Sequence, residues 1–310
     1  MKESNSRPLL SIIVPSFNQG EFLKESIDSA LHQDYRPIEV IVIDGASTDS
    51  TIDVLRSYED LDEVRWISEP DGGPAEAVNK GLALAQGAFA SIQSADDYYL
   101  PGAFSRAIGE FMRQPEVGLI YGEVQSIGIG GDVKSVSRRP PHSNAMCIAL
   151  CICIPQCSAF FKTSLARELG GWRSDYHTAD WDLWLRMMFS TQVLKLDDVM
   201  SCWRVYPGQR TDQREKVYES YRQMIDESPE IRESDWAVRR AAAASKYLIG
   251  ISYGNDRRWF ARVTAFSLAL LHYPWIFRWV PGKTKFVPGL SRVRTIHSRV
   301  RLITASKGKR

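Results

Sequence analysis

Two adjacent aspartates, Asp96 and Asp97, are the side chains whose type and spacing point most directly to chemistry. They follow a short apolar run, at the point where a strand would end. A hard divalent cation such as Mn2+ or Mg2+ prefers oxygen ligands, and one or two carboxylates hold it when phosphate oxygens and water complete its shell. The pair therefore indicates a metal site for a phosphate-bearing ligand. The alternative is a turn ahead of Pro101, since aspartate commonly forms turns.

Polar residues follow three further apolar runs in the first part of the chain. The first run leads into residues 15–18 (Pro-Ser-Phe-Asn), the second into 44–49 (Asp-Gly-Ala-Ser-Thr-Asp) and the third into 71–74 (Asp-Gly-Gly-Pro). One such segment is weak evidence, because Asp and Gly after a strand usually form a turn. Four in succession favour a shared pocket, because ligands of open α/β sheets bind at the carboxyl ends of the strands.

The residues in these segments suit a nucleotide. Asp44 can accept hydrogen bonds from a base N–H or a ribose hydroxyl, and Pro15 with Phe17 would form an apolar wall for the base. Asp49 offers a second polar contact, although a carboxylate that caps the following helix explains it equally well. Gly73 would let the backbone approach a ligand closely, and a plain tight turn is the alternative there.

Strands and helices alternate through this region. The predicted strands are 9–14, 38–43, 64–67 and 89–93. The predicted helices are 21–33, one that follows the capping residues 47–51 and runs to about 58, 74–85, and one that begins at Pro101. The strands are apolar throughout rather than alternating, which is typical of a mostly parallel sheet covered by helices on both faces. The pattern therefore predicts an α/β fold.

The pattern loosens after about Gly118. The later strand-like segments are 118–121, 158–161, 193–196 and 200–206. A Trp-rich helix is predicted near Asp180, and the pattern is mainly helical from Asp212 to about Leu271. We therefore expect a nucleotide-binding domain of residues 1–210 and a helical, basic C-terminal extension of residues 211–310.

The order and wording of these motifs resemble the family 2 glycosyltransferases of the GT-A fold over about residues 9–209. Later segments extend the match, namely 155–156 (Pro-Gln), 169–172 (Leu-Gly-Gly-Trp), 180–186 (Asp-Trp-Asp-Leu-Trp-Leu-Arg) and 203–208 (Trp-Arg-Val-Tyr-Pro-Gly). The resemblance implies the GT-A fold of nucleotide-diphospho-sugar transferases, with a central, mostly parallel sheet flanked by helices. It also implies an inverting transfer of a sugar from a nucleotide-diphosphate sugar to an acceptor hydroxyl.

The resemblance also implies roles for individual residues. Asp97 is the expected direct metal ligand, Asp96 is expected nearer the ribose or diphosphate, and Asp180 is the expected catalytic base. A first-turn helix charge is the structural alternative for Asp180. The predicted nucleotide-binding residues are Pro15, Phe17, Asn18, Asp44, Asp49, Gly73, Asn79 and Asp96.

The sequence departs from the family pattern at two positions. Ala179 stands where related sequences often have Glu, directly before the expected base. Tyr206 stands where relatives frequently have His, and a neutral Tyr is a poor ligand for a cation at neutral pH. The metal would then be held by fewer protein groups or helped by His177, although a lone His is more often a structural or surface residue.

The expected partners are a nucleotide-sugar donor, with a UDP-sugar favoured, and a saccharide or lipid-linked saccharide acceptor. Cell-surface polysaccharide or glycolipid assembly is the expected setting, and nucleic acid is not an expected partner. The alternatives to transfer are a sugar-nucleotide pyrophosphorylase and a non-catalytic nucleotide-sugar-binding protein. The segment 15–20 (Pro-Ser-Phe-Asn-Gln-Gly) lacks the Gly-rich, basic loop that is typical of pyrophosphorylases at this place.

Charge is distributed unevenly along the chain. Residues 257–310 carry 13 Lys or Arg and no Asp or Glu, so the first 256 residues hold 26 basic and 37 acidic side chains. Such a basic segment favours an anionic surface, and the Trp and Arg residues within 257–279 suit a helix lying in the lipid interface. A helix packed on the domain is the alternative. The polar start lacks a secretory signal, which predicts a cytoplasmic protein. The basic segment would place this protein peripherally on the cytoplasmic face of the membrane.

The five cysteines are too few for a disulfide framework in 310 residues, which predicts a reducing environment. Cys147, Cys151, Cys153 and Cys157 cluster in the sequence. They lack the paired C-x-x-C spacing of common zinc sites and lie among apolar residues, so buried thiols are favoured over a zinc site.

Overall fold

The computed structural model describes residues 7–151, 154–253 and 259–274. The chain separates into two compact units, one of residues 1–142 with 154–209 and the other of residues 143–153 with 210–310. Residues 143–153, which the sequence division placed in the first domain, group with the second unit. The two units therefore alternate along the chain.

The first unit contains a mixed sheet and the helices that cover it. The strands are β1 (Leu10–Ser16), β2 (Ile38–Asp44), β3 (Val64–Ser68), β4 (Phe89–Ile92), β5 (Tyr98–Tyr99), β6 (Val117–Ile127), β7 (Val133–Val136), β8 (Ala159–Lys162) and β9 (Gln192–Arg204). The α-helices of the described residues are α1 (Gly20–Leu31), α2 (Thr51–Arg56), α3 (Pro74–Leu84), α4 (Ala103–Arg113), α5 (Asn144–Leu150), α6 (Thr163–Glu168), α7 (Ala179–Ser190), α8 (Arg214–Glu227), α9 (Pro229–Glu233), α10 (Trp236–Tyr253) and α11 (Trp259–His272). Helices α5 and α8 to α11 belong to the second unit.

The sheet within the described residues has nine strands in the order β3-β2-β1-β4-β8-β6-β9-β5, with β7 paired on β6. β1 pairs in parallel with β2 and β4, and β2 with β3, whereas β8 is antiparallel to β4 and β6. Because β6 and β9 are parallel to each other, most strands point the same way. Their carboxyl ends therefore share one edge, as the predicted mostly parallel sheet requires.

Helices cover both faces of this sheet. Ile12 of β1 packs in one apolar cluster with Leu23 of α1 and Phe104 of α4, and all three are fully buried. On the other face, α3 approaches so closely that a Cβ at Gly81 would lie 2.4 Å from Ile13 Cγ2. Burial of one large apolar side chain, such as that of Ile12, Leu23 or Phe104, stabilises the fold by about 1.5–3 kcal/mol. The helix layers on the two faces of the sheet therefore hold the strand ends in fixed positions.

One strand differs from the sequence expectation for a local reason. The predicted strands 193–196 and 200–206 are one strand, β9, because it stays paired along β6 through several register shifts. The helix expected after the capping residues 47–51 begins at Thr51. Within that capping segment, Ser47 and Thr48 hydrogen-bond to the loop after β1.

The second unit is built from helices, as the sequence predicts for about residues 212–271. Arg240 of α10 donates to the carbonyl oxygen of His272 at 2.5 Å and to that of Leu271. A cation at a helix C-terminus is favourable because it opposes the negative end of the helix dipole. Among the described residues, no helix is both long and apolar enough to cross a bilayer. The interfacial helix expected within 257–279 lies partly outside the described residues.

Candidate active site

The loops after β1 and β2 are tied together by reciprocal hydrogen bonds. The backbone N–H of Asn18 donates to Ser47 Oγ at 2.7 Å, and Asn18 Oδ1 accepts from the N–H of Thr48 at 2.9 Å. Asn18 has a φ of 51°, a left-handed conformation that Asn tolerates better than most residues. The predicted site residue Asn18 therefore joins two strand ends in a defined geometry.

Asp44, the last residue of β2, is fully buried. Its carboxylate accepts hydrogen bonds from the Ser47 N–H at 2.9 Å, from Ser47 Oγ at 2.5 Å and from Ser68 Oγ at 2.7 Å. These hydrogen bonds join the loop after β2, through Ser47, to the end of β3, through Ser68. The contact of Asp44 with a base or ribose stays a prediction.

An exposed aromatic ring lies where three strand ends meet. Phe17 is 59% exposed. A Cβ at Gly45 would lie 3.3 Å from the Phe17 ring and 3.2 Å from Asp71 Oδ1, so the loops after β1, β2 and β3 approach one another here. Pro15 is half-buried in β1, in register with Ile43. A ring held open at this edge presents a flat apolar face, which suits the stacking of a base.

Asp49 and Gly73 make contacts within the protein. Asp49 accepts from the N–H of Gly20 and from the N–H of Thr51, each at 3.0 Å, and so supports the first turns of α1 and α2. Gly73 precedes α3 with a φ of 110°, and its N–H donates to Asp71 Oδ1 at 2.8 Å. The capping interpretation of Asp49 thus has direct support, and ligand contacts of both residues stay predictions.

Asn79 connects α3 to the Leu-Gly-Gly-Trp segment. Its amide exchanges two hydrogen bonds with the backbone of Trp172, at 2.8 and 2.9 Å. A Cβ at Gly171, which has a φ of 63°, would lie 2.2 Å from Asn79 Oδ1. The glycine is therefore required for this close approach, and Asn79 positions a loop 93 residues further along the chain. A ligand contact of Asn79 stays a prediction.

Asp97 follows β4 and is buried. It is 4% exposed, and its Oδ1 accepts from the backbone N–H of Arg204, the last residue of β9, at 2.9 Å. Burial and then the charge of Asp96 raise the pKa of Asp97 well above its usual range, while Arg204 and the Cys157 thiol oppose this shift. A cation close to such a carboxylate would favour its charged form.

Asp96 is the more accessible of the two carboxylates. It is half-buried, and its Oδ2 accepts from the Tyr206 hydroxyl at 2.9 Å and from the Gln209 amide at 3.2 Å. Its Oδ1 accepts no hydrogen bond from the residues that the structure describes. Burial and then the charge of Asp96 raise the pKa of Tyr206 to about 12, so the hydroxyl keeps its proton and donates. Sequence reasoning assigned no role to Gln209.

Arg204, to which the sequence also assigned no role, holds the backbone at Asp96 through hydrogen bonds of its buried guanidinium group. It is 3% exposed, and its guanidinium donates to the carbonyl oxygens of Asp96 at 3.0 Å and Ile129 at 2.7 Å. It also pairs with Glu25 and lies 4.8 Å from the centre of the Phe22 ring. A buried cation needs such partners to offset its desolvation. The sequence signal was a cation inside an otherwise strand-like run.

The donors at Asp96 and Asp97 fit a divalent cation that keeps phosphate and water ligands. Asp96 offers a half-buried carboxylate whose donors among the described residues both bind Oδ2, and Asp97, next to it in the chain, supplies a second, buried carboxylate. Within the described ranges, no three His, Cys, Asp or Glu side chains form an enclosed metal site. Mg2+ sites commonly use one or two carboxylates with substrate phosphates, so such a cage is not required. His177 is half-buried ahead of α7, and its compensating role stays a prediction.

Asp180 lies in the first turn of α7 and is half-buried. Two residues further on, Asp182 is 2% exposed and forms a buried ion pair with Arg186 at 2.5 Å. Trp181 and Trp184 are buried as well, as predicted for packing residues. Asp180 is therefore the more accessible carboxylate of this turn, and its role as a base stays a prediction.

The cysteines within the described residues are buried thiols outside disulfides, namely Cys147, Cys151, Cys157 and Cys202. Burial and then the charge of Asp97 raise the pKa of the Cys157 thiol well above its usual range. These observations agree with the buried-thiol interpretation, and Cys153 lies outside the described residues.

Known structures with a similar fold are glycosyltransferases. TarS of S. aureus, residues 1–349 in complex with UDP-GlcNAc, matches with a TM-score of 0.64 and 18% identity over 86% of this chain and 81% of that one. The mannosyltransferase PcManGT from Pyrobaculum calidifontis, in complex with GDP-Man and Mn2+, matches with a TM-score of 0.63 and 20% identity over 94% and 81%. At such identities the likeness shows the fold alone. The fold is GT-A, as predicted.

The family follows from the sequence match. The model of glycosyl transferase family 2 matches residues 11–169, which is just over half of the chain. This chain belongs to glycosyl transferase family 2, and the resemblance drawn from its motifs is confirmed.

Named relatives include enzymes of polysaccharide synthesis. The hyaluronan synthase of Pasteurella multocida is 31% identical over 130 residues, which cover 42% of this chain and 13% of that protein. The chondroitin synthase of Pasteurella multocida strain Pm70 is 31% identical over 127 residues, or 41% and 13%. TuaG of Bacillus subtilis, a putative teichuronic acid biosynthesis glycosyltransferase, is 35% identical over 114 residues, or 36% and 44%. The matched region thus spans less than half of each of these relatives.

Proposed function

We propose that this chain is an inverting glycosyltransferase that moves a sugar from a nucleotide-diphosphate sugar to an acceptor hydroxyl. One observation carries the proposal: the exposed ring of Phe17 and the accessible carboxylate of Asp96 both follow strands whose carboxyl ends share one sheet edge. An apolar platform for a base and a carboxylate for a diphosphate-bound cation are the two parts that a nucleotide-sugar site needs. Membership of glycosyl transferase family 2 supports this choice over a pyrophosphorylase.

The donor is assigned to the loops after the first strands. Pro15 and Phe17 form the apolar wall for the base, and Asp44 is the candidate polar contact for the base or ribose. Asn18, Asp49, Gly73 and Asn79 shape the same edge through the contacts described above. The solved relatives were crystallised with UDP-GlcNAc and with GDP-Man, which supports a nucleotide-sugar donor. We favour a UDP-sugar.

Asp96 and Asp97 are assigned to the cation, with Mn2+ or Mg2+ as candidates. The Mn2+ of the mannosyltransferase complex supports this assignment. The cation, when bound, neutralises the charge that builds on the leaving nucleoside diphosphate. The sequence made Asp97 the direct ligand. Because Asp96 is the more exposed of the two, we assign it a share of the cation, with Tyr206 and Gln209 fixing its other oxygen.

Asp180 is assigned as the base that takes the proton of the acceptor hydroxyl as it attacks the anomeric carbon. It lies half-buried in the first turn of α7, whereas Asp182 is buried and pairs with Arg186. Attack on the side opposite the leaving diphosphate inverts the anomeric centre. General base catalysis by a positioned carboxylate contributes about 10²–10⁴-fold to rate.

The acceptor is assigned as a saccharide or lipid-linked saccharide, in the assembly of a cell-surface polysaccharide or glycolipid. The names of the hyaluronan, chondroitin and teichuronic acid relatives support this choice. We place the protein in the cytoplasm, peripheral on the membrane through its basic C-terminal residues. A shortened chain that ends near Asp256 should lose sedimentation with anionic liposomes, and unchanged sedimentation would remove the membrane assignment.

A donor screen tests the activity itself. Purified protein is incubated with a panel of UDP-, GDP- and TDP-sugars with Mn2+, with Mg2+ or with EDTA, and release of nucleoside diphosphate is measured. We expect release with one donor class, dependent on metal, and an inverted anomeric centre in the product by NMR. Asp180→Asn should lower turnover by about 10²–10⁴-fold with nucleotide affinity retained. Nucleotide binding without turnover under every condition would instead favour the non-catalytic binding protein.

A further inference from the structure

A cavity in the second unit is not used by the proposed reaction. Its volume is about 520 Å³, and residues of α8, α9, α10 and α11 line it. Small-molecule sites commonly have volumes of about 300–1,000 Å³. The cavity is therefore large enough for a ligand of moderate size within this unit alone.

The floor of the cavity is apolar. Ile225 of α8 and Ile231 of α9 are 3% and 4% exposed, and Ala242 of α10 is 5% exposed. Ala242 and its neighbour Ala243 carry short side chains, which leaves room between the helices. A hydrocarbon group placed on this floor would leave water and gain about 25 cal/mol for each Å² of apolar surface buried.

The rim of the cavity is cationic. Arg232, Arg239 and Lys246 are exposed and line it, against the single carboxylate of Asp226. Asp226 already pairs with Lys246 and lies 3.8 Å from Arg222. Neither Arg232 nor Arg239 forms an ion pair with a carboxylate of the described residues. Neither guanidinium group therefore has a carboxylate of the described residues within ion-pair distance.

The neighbouring surface is suited to a lipid. Trp236 is 66% exposed and Leu271 is 68% exposed. Arg240 links the two, because its guanidinium lies 4.9 Å from the centre of the Trp236 ring and donates to the carbonyl oxygen of Leu271. Trp and Arg side chains are enriched where a protein meets the membrane interface.

We propose that this cavity binds the phosphate head group of an anionic lipid. Arg232 and Arg239 bind the phosphate oxygens, because planar guanidinium groups match phosphate with paired, charge-assisted hydrogen bonds. Arg239 is directed by its bond to the carbonyl oxygen of Ser234, at 2.5 Å. The apolar floor accepts the first carbons of the lipid chains. This site is independent of the transfer activity and of the basic residues after position 274.

Short-chain lipids test the proposal without vesicles. Dihexanoyl phosphatidic acid, kept below its micelle concentration, is titrated calorimetrically into the full chain. We expect saturable binding that Arg232→Gln and Arg239→Gln each weaken about tenfold, the effect of losing one charge-assisted hydrogen bond. Lys216→Gln, which removes an exposed cation in the first turn of α8 that does not line the cavity, is the matched control and should bind as the wild type does. Equal affinity in all four proteins would overturn the proposal.

Two further ligands separate the parts of the proposal. Dihexanoyl phosphatidylcholine carries the same chains with a zwitterionic head group, and inorganic phosphate lacks the chains, so both should bind at least about tenfold more weakly. Equal binding of either one would refute the lipid phosphate assignment. Ala243→Leu fills the cavity while keeping every cation, and it should also weaken binding. Unchanged affinity in that variant, with thermal unfolding as in the wild type, would place the ligand outside the cavity.

Discussion

Asp44 ends the buried parallel strand β2 and Asp96 follows the buried parallel strand β4, yet the surroundings of the two aspartates are opposite. Asp44 is fully buried, and three donors from Ser47 and Ser68 occupy its carboxylate. Asp96 is half-buried, and its two donors, from Tyr206 and Gln209, meet on a single oxygen. The same residue type at the same kind of position is thus closed in one case and available in the other.

The difference comes from where the hydrogen-bond donors originate. Ser47 lies three residues after Asp44, so the loop after β2 closes on its own carboxylate. The chain enters β5 two residues after Asp96, and the donors to Asp96 come from residues beyond the end of β9. A strand-end carboxylate that its own loop leaves open is therefore the stronger candidate for a cation.

The largest effect is expected from removing the charge of the available carboxylate. Asp96→Asn keeps the size of the side chain but weakens its hold on a cation, so turnover should fall by about 10²–10³-fold, as for loss of one group that stabilises developing charge. Asp97→Asn, assayed in parallel for metal-dependent release of nucleoside diphosphate, ranks the two ligands. Asp53→Asn, an exposed aspartate on α2, is the control. Full turnover in Asp96→Asn would remove Asp96 from the candidate cation ligands.

The closed carboxylate should matter first for stability. Asp44→Asn replaces an acceptor oxygen with an amide that cannot accept, so at least one of the serine donors loses its partner. Leaving one buried polar group unsatisfied costs about 1–3 kcal/mol, and urea unfolding should report a loss of this size. Donor affinity, measured by calorimetry with UDP, separates the two roles. A variant with unchanged unfolding but weakened UDP binding would show that Asp44 serves the nucleotide first.

The sequence predicted the frame of the site better than its contacts. The apolar runs located β1, β2, β3 and β4 to within a few residues, because short buried strands need continuous apolar side chains. The polar residues that follow these runs were therefore placed at the correct edge. Whether each one is open to a ligand was not predictable, since Ser68 is 24 residues from Asp44 and Glu25 is 179 residues from Arg204. These long-range hydrogen-bond partners depend on the register of the strands and on where β9 pairs in the sheet, which the sequence pattern does not give.

Tyr206 offers an intermediate effect that sharpens the contrast. Tyr206→Phe removes one of the two donors from Asp96 and keeps the ring that packs 5.3 Å from Phe22. Partners that orient a metal ligand typically change metal affinity or activity by about 10–100-fold, so the Mn2+ concentration for half-maximal turnover should rise about tenfold. Thermal unfolding should not change. Tyr218→Phe in α8 is the matched control, and identical Mn2+ dependence in both variants would leave Asp96 positioned by Gln209 alone.

The smallest effect is expected at Asp49, a closed carboxylate near the surface. Burial raises its pKa, but hydrogen bonds from Thr51 and Gly20 outweigh this and leave the pKa below the usual 3.8. The folded protein therefore binds this proton less tightly than the unfolded chain does. The stabilisation is complete above the usual pKa and is lost as pH falls through the lowered value. Asp49→Asn should cost about 1 kcal/mol near neutral pH, and this cost should shrink in acid. A constant difference from wild type across the titration, or an equal one in Asp53→Asn, would show that Asp49 is not a cap and would return it to the candidates for ligand contact.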